Sequence, residues 1–254
     1  MIPKYLYHYT SIDTLIKILE NKTIRFTRLD KLNDPLEGFC ANEMVKSEYK
    51  QLCKLTFVSC WTAEEKESIP MWYIYTEMKG VRIKIKSNMF AQKFDIFEGD
   101  GFFYPVQHVK DEMPTLFLCN KMVHGPIAVQ YKDKNSLHNN ICKHSITIDG
   151  NDCNKIDFFE YSVEKVIDWS YENEYRFRLP IFMSIQTNND DIAFLSNYSF
   201  DCYPEYVDVP LCSTTEEIVL GEKVSSFEHN NLKEFLNKNS LNIPIKNSNI
   251  RTRF

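Results

Sequence analysis

Trp169-Ser170-Tyr171-Glu172-Asn173-Glu174-Tyr175-Arg176-Phe177-Arg178 is the stretch whose reading decides the fold. From Glu172 onward every second residue is charged, and Tyr171, Tyr175 and Phe177 fill the alternate positions. Successive side chains on a strand point to opposite faces, so the alternation predicts a strand with an aromatic core side and a charged side. Two carboxylates two residues apart on one face repel unless something uses or neutralises them. Arg176 and Arg178 continue the same row, and charge pattern alone favours a solvated face with cross-strand ion pairs. The competing reading is a site that uses the two carboxylates.

At the other end of the chain, Tyr5-Leu6-Tyr7-His8-Tyr9-Thr10-Ser11 is followed by Ile12, Leu15, Ile16 and Leu19 at helical spacing, closed by Asn21. The pattern predicts a first strand feeding a helix capped by Thr10 or Ser11. His8 then sits near a strand-to-helix junction. A histidine among tyrosines is most often a hydrogen-bonded core residue, but such a junction also suits a ribose or a phosphate.

With 254 residues, 43% of them hydrophobic, the chain can bury a full core and suits one large domain with insertions. A formal net charge of -5 and a pI near 5.7 exclude a uniformly basic surface, although Lys79, Arg82, Lys84 and Lys86 gather locally. Alternation puts Arg82, Lys84 and Lys86 on one strand face, expected to meet solvent. No run approaches the ~20 apolar residues that span a bilayer, and Met1-Ile2-Pro3-Lys4 lacks a signal-peptide core, so a soluble cytoplasmic protein with no membrane partner is expected.

The eight cysteines contain no C-x-x-C pair, which fits reduced thiols. His138, Cys142, His144 and Cys153 match no zinc spacing and read as incidental residues of a surface loop, so no metal is assigned. Gly-Pro-Asn punctuation predicts a strand over 23–27, a turn at Asn33-Asp34-Pro35, a helical run from Glu37 toward Leu52 and a strand over 55–61. Farther on it predicts a polar loop over 62–68, a helix over 69–78 stopped by Gly80, and a strand over 81–85. Hairpins are expected between 101 and 129, loop-rich insertions near 131–153 and 184–205, a strand over 218–220, and a C-terminal extension over 222–254 with a helix and a last strand. Helices and strands interleave without a regular βαβ repeat, which favours α+β in a single domain over 1–254. There is no G-x-G-x-x-G, Walker A, H-E-x-x-H or G-x-S-x-G motif.

Taken in order, six blocks resemble a family of uncharacterised bacterial proteins, the domain of unknown function 2971 (DUF2971) family. They are Tyr7-His8-Tyr9-Thr10, Asn33-Asp34-Pro35-Leu36-Glu37, Val58-Ser59-Cys60-Trp61, Met71-Trp72-Tyr73-Ile74-Tyr75 with Lys79-Gly80-Val81, Lys165 with Trp169-x-x-Glu172-x-Glu174-Tyr175-Arg176, and Glu217-Ile218-Val219-Leu220-Gly221. The resemblance covers about residues 5–221. The family in turn is similar to the ADP-ribosyltransferase-like fold, a split, mostly antiparallel sheet with flanking helices that holds NAD in a cleft.

That resemblance implies NAD as substrate and a macromolecular acceptor, protein or nucleic acid, in the context of a toxin or phage-defence effector. It implies Glu174 as the carboxylate beneath the nicotinamide ribose and Glu172 as the group that activates an acceptor or orients its neighbour. Arg176 would pair with Glu172 or bind pyrophosphate, and His8, with Tyr9 and Thr10 beside it, would hold the adenosine-side ribose. Trp72 or Tyr75 would stack on nicotinamide, and Asn33 would offer an amide contact from the loop to Glu37. The chain departs from the better-known transferases in its aromatic residues: Tyr73 and Tyr75 are two apart and share no helix face, so Trp72 with Tyr75 is the better pair. Three functions remain open at this point: an ADP-ribosyltransferase, an NAD glycohydrolase or other nucleotide-processing enzyme, and a non-catalytic nucleotide- or protein-binding module.

Overall fold

The structure, a computed structural model, describes residues 2–37, 39–41, 46–90, 101–105, 115–119, 123–138, 142–148, 151–156, 162–184 and 204–252. The first half holds β1 (Tyr5–Thr10), α1 (Ile12–Asn21), β2 (Thr23–Arg28), α2 (Lys46–Lys54), β3 (Thr56–Thr62), α3 (Ile69–Thr76), β4 (Val81–Lys86), β5 (Gly101–Pro105), β6 (Thr115–Cys119) and β7 (His124–Ala128). The second half holds β8 (Gln130–Lys132), β9 (Cys142–Ile148), β10 (Asn151–Ile156), β11 (Glu164–Val166), β12 (Glu174–Ser184), β13 (Tyr206–Pro210), β14 (Glu217–Leu220), α4 (Ser226–Lys238) and β15 (Ile245–Asn247). Short 3-10 turns occupy 29–31, 134–136 and 167–172.

The main sheet runs β15-β14-β4-β1-β3-β12-β6-β5, with β2 joining β3 and carrying β13, and β7 lying on β12. Within it, among the described residues, only β14 and β15 pair in parallel; the small β8–β11 sheet is parallel too, and β9 with β10 forms a separate antiparallel pair. The class is α+β, as the interleaving predicts, with a mostly antiparallel open sheet and few helices. Between 101 and 129 the expected hairpin is the β5–β6 pair, whereas β7 joins β12. Within 131–153, read as loop-rich, the described residues form the end of β8, the 3-10 turn at 134–136 with the turn that follows it, β9 and the start of β10. Most of 184–205 lies outside the described residues. None of the described helices is long and apolar enough to cross a membrane.

Local chemistry explains the elements that frame the site. Ser11 caps α1, its hydroxyl accepting from the Thr14 amide at 3.1 Å, and Ile12, Leu15 and Ile18 turn inward. Ser225 and Glu228 form a reciprocal capping box on α4, which buries Leu232 and Leu236. Both helices cover the face of β1, β4 and β14 that presents Leu6, Ile83, Ile85 and Ile218, and this is the main core.

The opposite face of the same strands is aromatic and charged. Here the expectation of a solvated basic row fails for Arg82, which is 4% exposed. Its guanidinium lies 3.8 Å from the Tyr7 ring centroid and donates to the Glu64 and Glu65 carbonyls, so it pins the 63–67 loop.

Strand pairing is uneven across the sheet. β1 pairs with β4 along its whole length, from Tyr5↔Lys86 to Thr10↔Val81, and β12 follows β3 from Glu174↔Thr62 to Pro180↔Thr56. Between these two well-paired blocks, β1 and β3 share a single register pair, Tyr7↔Thr62. Beyond that pair the two strands part.

α3 ends at Thr76, two residues earlier than its apolar pattern predicts, because Glu77 and Met78 both take left-handed conformations (φ 49° and 64°). Gly80 then passes the end of β1 so closely that a Cβ there would sit 2.3 Å from the Thr10 carbonyl oxygen. Gly80→Ala is therefore expected to cost about 2–3 kcal/mol, read as a lower urea midpoint at unchanged slope.

Candidate functional site

The parting of β1 and β3 opens a small pocket of about 90 Å³ lined by Tyr7, His8 and Tyr9 of β1, Cys60, Trp61 and Thr62 of β3, and Met71 and Tyr75 of α3. Leu32 and Asn33 close one side, and Lys165, Glu172 and Glu174 close another. His8 fills part of the seam itself. Its Nδ1 lies 3.0 Å from the Cys60 carbonyl oxygen, where a strand ladder would place a backbone amide, and its ring rests 5.0 Å from that of Trp61. Burial pushes the imidazole pKa down, so the ring is neutral with Nδ1 as donor. Among the described residues its Nε2 has no hydrogen-bond partner.

The deciding stretch is not one strand. Residues 167–172 form a 3-10 turn, Asn173 takes a left-handed conformation (φ 43°), and the strand starts at Glu174. Asn tolerates that conformation because its short amide bonds locally, so the apparent alternation runs back across a turn. Glu174, Arg176 and Arg178 do share a strand face, but the face is buried rather than solvated: Glu174 is 3% exposed and Arg176 0%.

An ion network explains how that burial is tolerated. Arg176 Nε donates to Glu174 Oε1 at 2.6 Å and its Nη2 to Glu174 Oε2 at 3.1 Å. The same guanidinium donates through Nη1 to Glu37 Oε2 at 2.9 Å and to the Ser162 carbonyl at 2.9 Å, and through Nη2 to Glu37 Oε1. Lys165 Nζ lies 2.6 Å from Glu172 Oε2, 3.4 Å from Glu174 Oε2 and 3.9 Å from Glu37 Oε1. Tyr75 donates its hydroxyl to Glu172 Oε1 and accepts from Asn33 Nδ2 at 3.2 Å. The Glu174 amide donates to the Tyr131 hydroxyl at 2.8 Å.

The two carboxylates of the deciding stretch have different electrostatics. Burial alone would raise the Glu174 carboxyl, but Arg176 and then Lys165 outweigh it and hold the pKa at about 2. For Glu172, burial wins over the single ammonium of Lys165, and the neighbouring Glu174 charge adds to the rise. Burial opposes the Lys165 charge, yet Glu174, Glu172 and Glu37 together raise its pKa. Three carboxylates face two cations, so the buried set carries a net negative charge or retains one proton. Burial raises the Glu37 and Glu172 carboxyls alike, whereas Glu174 is held ionised.

Six of the nine residues singled out from sequence line this pocket: His8, Tyr9, Asn33, Tyr75, Glu172 and Glu174. The other three do not. Trp72 is fully buried, edge-on to Tyr9 with ring centroids 5.0 Å apart, and donates Nε1 to Glu67 Oε2 at 3.0 Å; Met71 takes the pocket-facing position expected of it. Thr10 is buried at the strand end against Gly80. Arg176 reaches neither Glu172 nor a pyrophosphate position, since its fork is filled by Glu174 and Glu37. Glu37 and Lys165 stand in the family blocks with no role attached, and no periodicity links either of them to Glu174. His138 lies in a turn but not at the surface: it is 1% exposed, and its ring nitrogens sit 2.8 Å from the Tyr49 hydroxyl and 2.9 Å from the Phe39 carbonyl.

Residues 71–177 match the model of the family described as Protein of unknown function (DUF2971), so the family resemblance read from the sequence holds over that segment. The segment supplies Met71, Tyr75, Lys165, Glu172 and Glu174 to the pocket and Arg176 to the network, while His8, Asn33, Glu37 and Cys60 come from outside it. No curated protein and no solved structure matches the chain.

Removing one partner of a buried ion pair leaves an uncompensated charge, so Arg176→Met is expected to cost about 3–5 kcal/mol in chemical denaturation. Lys246→Met, which breaks the surface pair with Glu217 in which Lys246 is 63% exposed, is expected to cost less than about 1 kcal/mol. The depressed Glu174 pKa gives a pH signature of defined sign. Its contribution is fully present above the ordinary value of 4.5 and is lost as pH falls from there through about 2. Urea titrations of wild type should therefore show an acid limb in that window, and the limb should flatten in Glu174→Gln.

Proposed function

We propose that the pocket receives the nicotinamide–ribose end of NAD and that the protein is an ADP-ribosyltransferase-like enzyme that transfers ADP-ribose to a macromolecular acceptor. The observation that carries this reading is the meeting of His8 with Glu172 and Glu174 in one pocket, at the seam where β1 and β3 part. An ADP-ribosyltransferase-like sheet is split at its NAD cleft, and the single β1–β3 register pair supports reading the seam as such a split. A cavity of about 90 Å³ is smaller than the ~150 Å³ cavity that admits benzene, so only one end of a dinucleotide enters, and only with some opening. Tyr75, 36% exposed and bonded to both Glu172 and Asn33, is the side chain that has to swing aside.

Each residue then has a physical task. When the ribose C1′–N bond breaks, its electron pair leaves with nicotinamide and positive charge develops on the sugar. A permanently ionised Glu174 stabilises that charge more in the transition state than in the ground state. Glu172 takes the proton of the attacking acceptor group, and its raised pKa suits it to that exchange. His8, neutral and fixed through Nδ1, offers Nε2 to a ribose hydroxyl. Lys165 works against the cationic sugar, but the excess of carboxylates keeps the local field negative.

A non-catalytic binding module is the second reading. It is favoured by the complete satisfaction of Glu174, whose two oxygens are already held by Arg176 and Lys165.

Purified protein incubated with NAD should release nicotinamide, and Glu172→Gln should lower the rate about 10²- to 10³-fold while the variant stays folded. Dependence on added lysate marks a macromolecular acceptor, and free ADP-ribose without labelled target marks hydrolysis. Folded wild type that releases no nicotinamide in either condition and gains no melting temperature in millimolar NAD would sink the enzyme reading.

A further inference from the structure

Four aromatic side chains, Tyr7, Tyr9, Trp61 and Tyr75, line the seam pocket beside Glu172 and Glu174. Three of them also have ring neighbours: the Arg82 guanidinium lies 3.8 Å from the Tyr7 ring centroid and 5.8 Å from that of Tyr9, Trp72 meets Tyr9 edge-on, and the His8 ring lies 5.0 Å from that of Trp61. Arg82 and Trp72 stand outside the lining, and the void of about 90 Å³ exists with all of these neighbours in place. Asn33 and Tyr75 are the exposed members of the lining, so the mouth lies beside them.

The charge beneath that wall lacks one cation. Among the described residues the network sets Glu37, Glu172 and Glu174, each 3% exposed, against Lys165 and Arg176. Lys165 lines the pocket, but its ammonium lies within 3.9 Å of all three carboxylates. Arg82 is committed to the Glu64 and Glu65 carbonyls. A buried surplus of negative charge is met by a proton or by a cation from outside.

The carboxylates that attract such a cation are already accepting hydrogen bonds. Glu172 accepts from Tyr75 at Oε1 and from Lys165 at Oε2, and Glu174 accepts from Arg176 at Oε1 and from Arg176 and Lys165 at Oε2. A primary ammonium or a guanidinium brings several N–H donors that would compete for these oxygens, and a buried donor left unmet is costly. A bare metal ion needs oxygen ligands, which the same engagement withholds. A quaternary ammonium brings charge and no donor, and aromatic walls attract it.

We propose that the seam pocket binds a quaternary ammonium group, held by Tyr7, Tyr9, Trp61 and Tyr75 and balanced by the network carboxylates, with the rest of the ligand leaving past Tyr75 and Asn33. Binding stands independently of the NAD chemistry, whose nicotinamide ring meets the same two demands, positive charge and no N–H at the charged centre. That such a ligand competes with NAD rests on the proposed activity.

The test is isothermal titration calorimetry of the purified protein with choline, in the absence of NAD. Wild type should bind choline saturably. The neutral alcohol in which carbon replaces the choline nitrogen, and ethanolamine, the primary-amine counterpart, should each bind at least about tenfold more weakly. Glu172→Gln, which removes one negative charge, and Tyr75→Leu, which removes a ring at the mouth, should each weaken choline about three- to tenfold. Glu20→Gln, the same charge change on an exposed position of α1, should leave binding unchanged. A short peptide containing trimethyl-lysine, titrated beside choline, distinguishes a protein source of the group from a free metabolite. The proposal is overturned if folded wild type binds neither, if the neutral alcohol or ethanolamine binds as tightly as choline, or if folded Glu172→Gln and Glu20→Gln behave alike. The wild-type ligand series decides even where a pocket variant fails to fold. Because the assay contains no NAD, its failure is distinguishable from failure of the NAD chemistry.

Discussion

The Arg176 guanidinium is the constraint on which the rest of this site depends. It is fully buried, and a buried cation is tolerable only where its donors and its charge are met. Arg176 meets that condition by drawing three chain segments together: Glu174 from its own strand, Glu37 from the turn after residue 34, and the Ser162 carbonyl ahead of β11. The Asn33–Glu37 segment therefore has a fixed place beside β12, which in turn puts Asn33 within reach of Tyr75 and Leu32 at the pocket wall. Lys165 extends the arrangement to Glu172 and lies over the Trp169 ring at 4.4 Å, so the 3-10 turn before β12 is held by the same charges.

The second constraint is the seam. A sheet whose neighbouring strands share one register pair has backbone groups there that need other partners. His8 supplies one of them by bonding the Cys60 carbonyl through its side chain. This costs the sheet some continuity and leaves a neutral imidazole at a pocket wall whose Nε2 bonds none of the described residues. The well-paired β1–β4 and β3–β12 blocks on either side keep the opening narrow. Ion network and seam meet at Thr62, which is paired with Tyr7 across the seam and with Glu174 across β3 and β12.

Much of this was legible in the sequence, and the limits are physical. Helical periodicity located α1 and the helix of the C-terminal extension, and Thr10 or Ser11 read as the cap of α1, because those signals are local: Ser11 acts within one turn of itself. The charged row at Glu174–Arg178 was legible as one face but not as a buried face, since burial depends on Glu37, 139 positions away from Arg176. The turn at Asn173 was hidden because Trp169 to Glu172 continues the strand's alternation by coincidence of composition. Trp72 and Tyr75 lie three apart on a short helix and so looked like one functional pair. The structure separates them, because a helix of eight residues turns one of its aromatics to the core and leaves the next at the surface.

The charge count of the network limits the chemistry its pocket can perform. With Arg176 saturated by Glu174 and Glu37, the cation nearest the pocket is Lys165, and it is committed to carboxylates on two sides. An anionic ligand placed there would meet Glu172 and Glu174 before any free positive charge, so the pocket is built to repel phosphate and to favour a group that is cationic or becomes so. The aromatic walls of Tyr7, Tyr9, Trp61 and Tyr75 act in the same sense, because ring faces attract positive charge. The nicotinamide ring of the proposed substrate, cationic in NAD, and its ribose, which would turn cationic as the ring departs, would satisfy both conditions at once. The phosphates of that proposed ligand would lie outside, toward solvent, in keeping with a cavity too small for more than one end of the molecule.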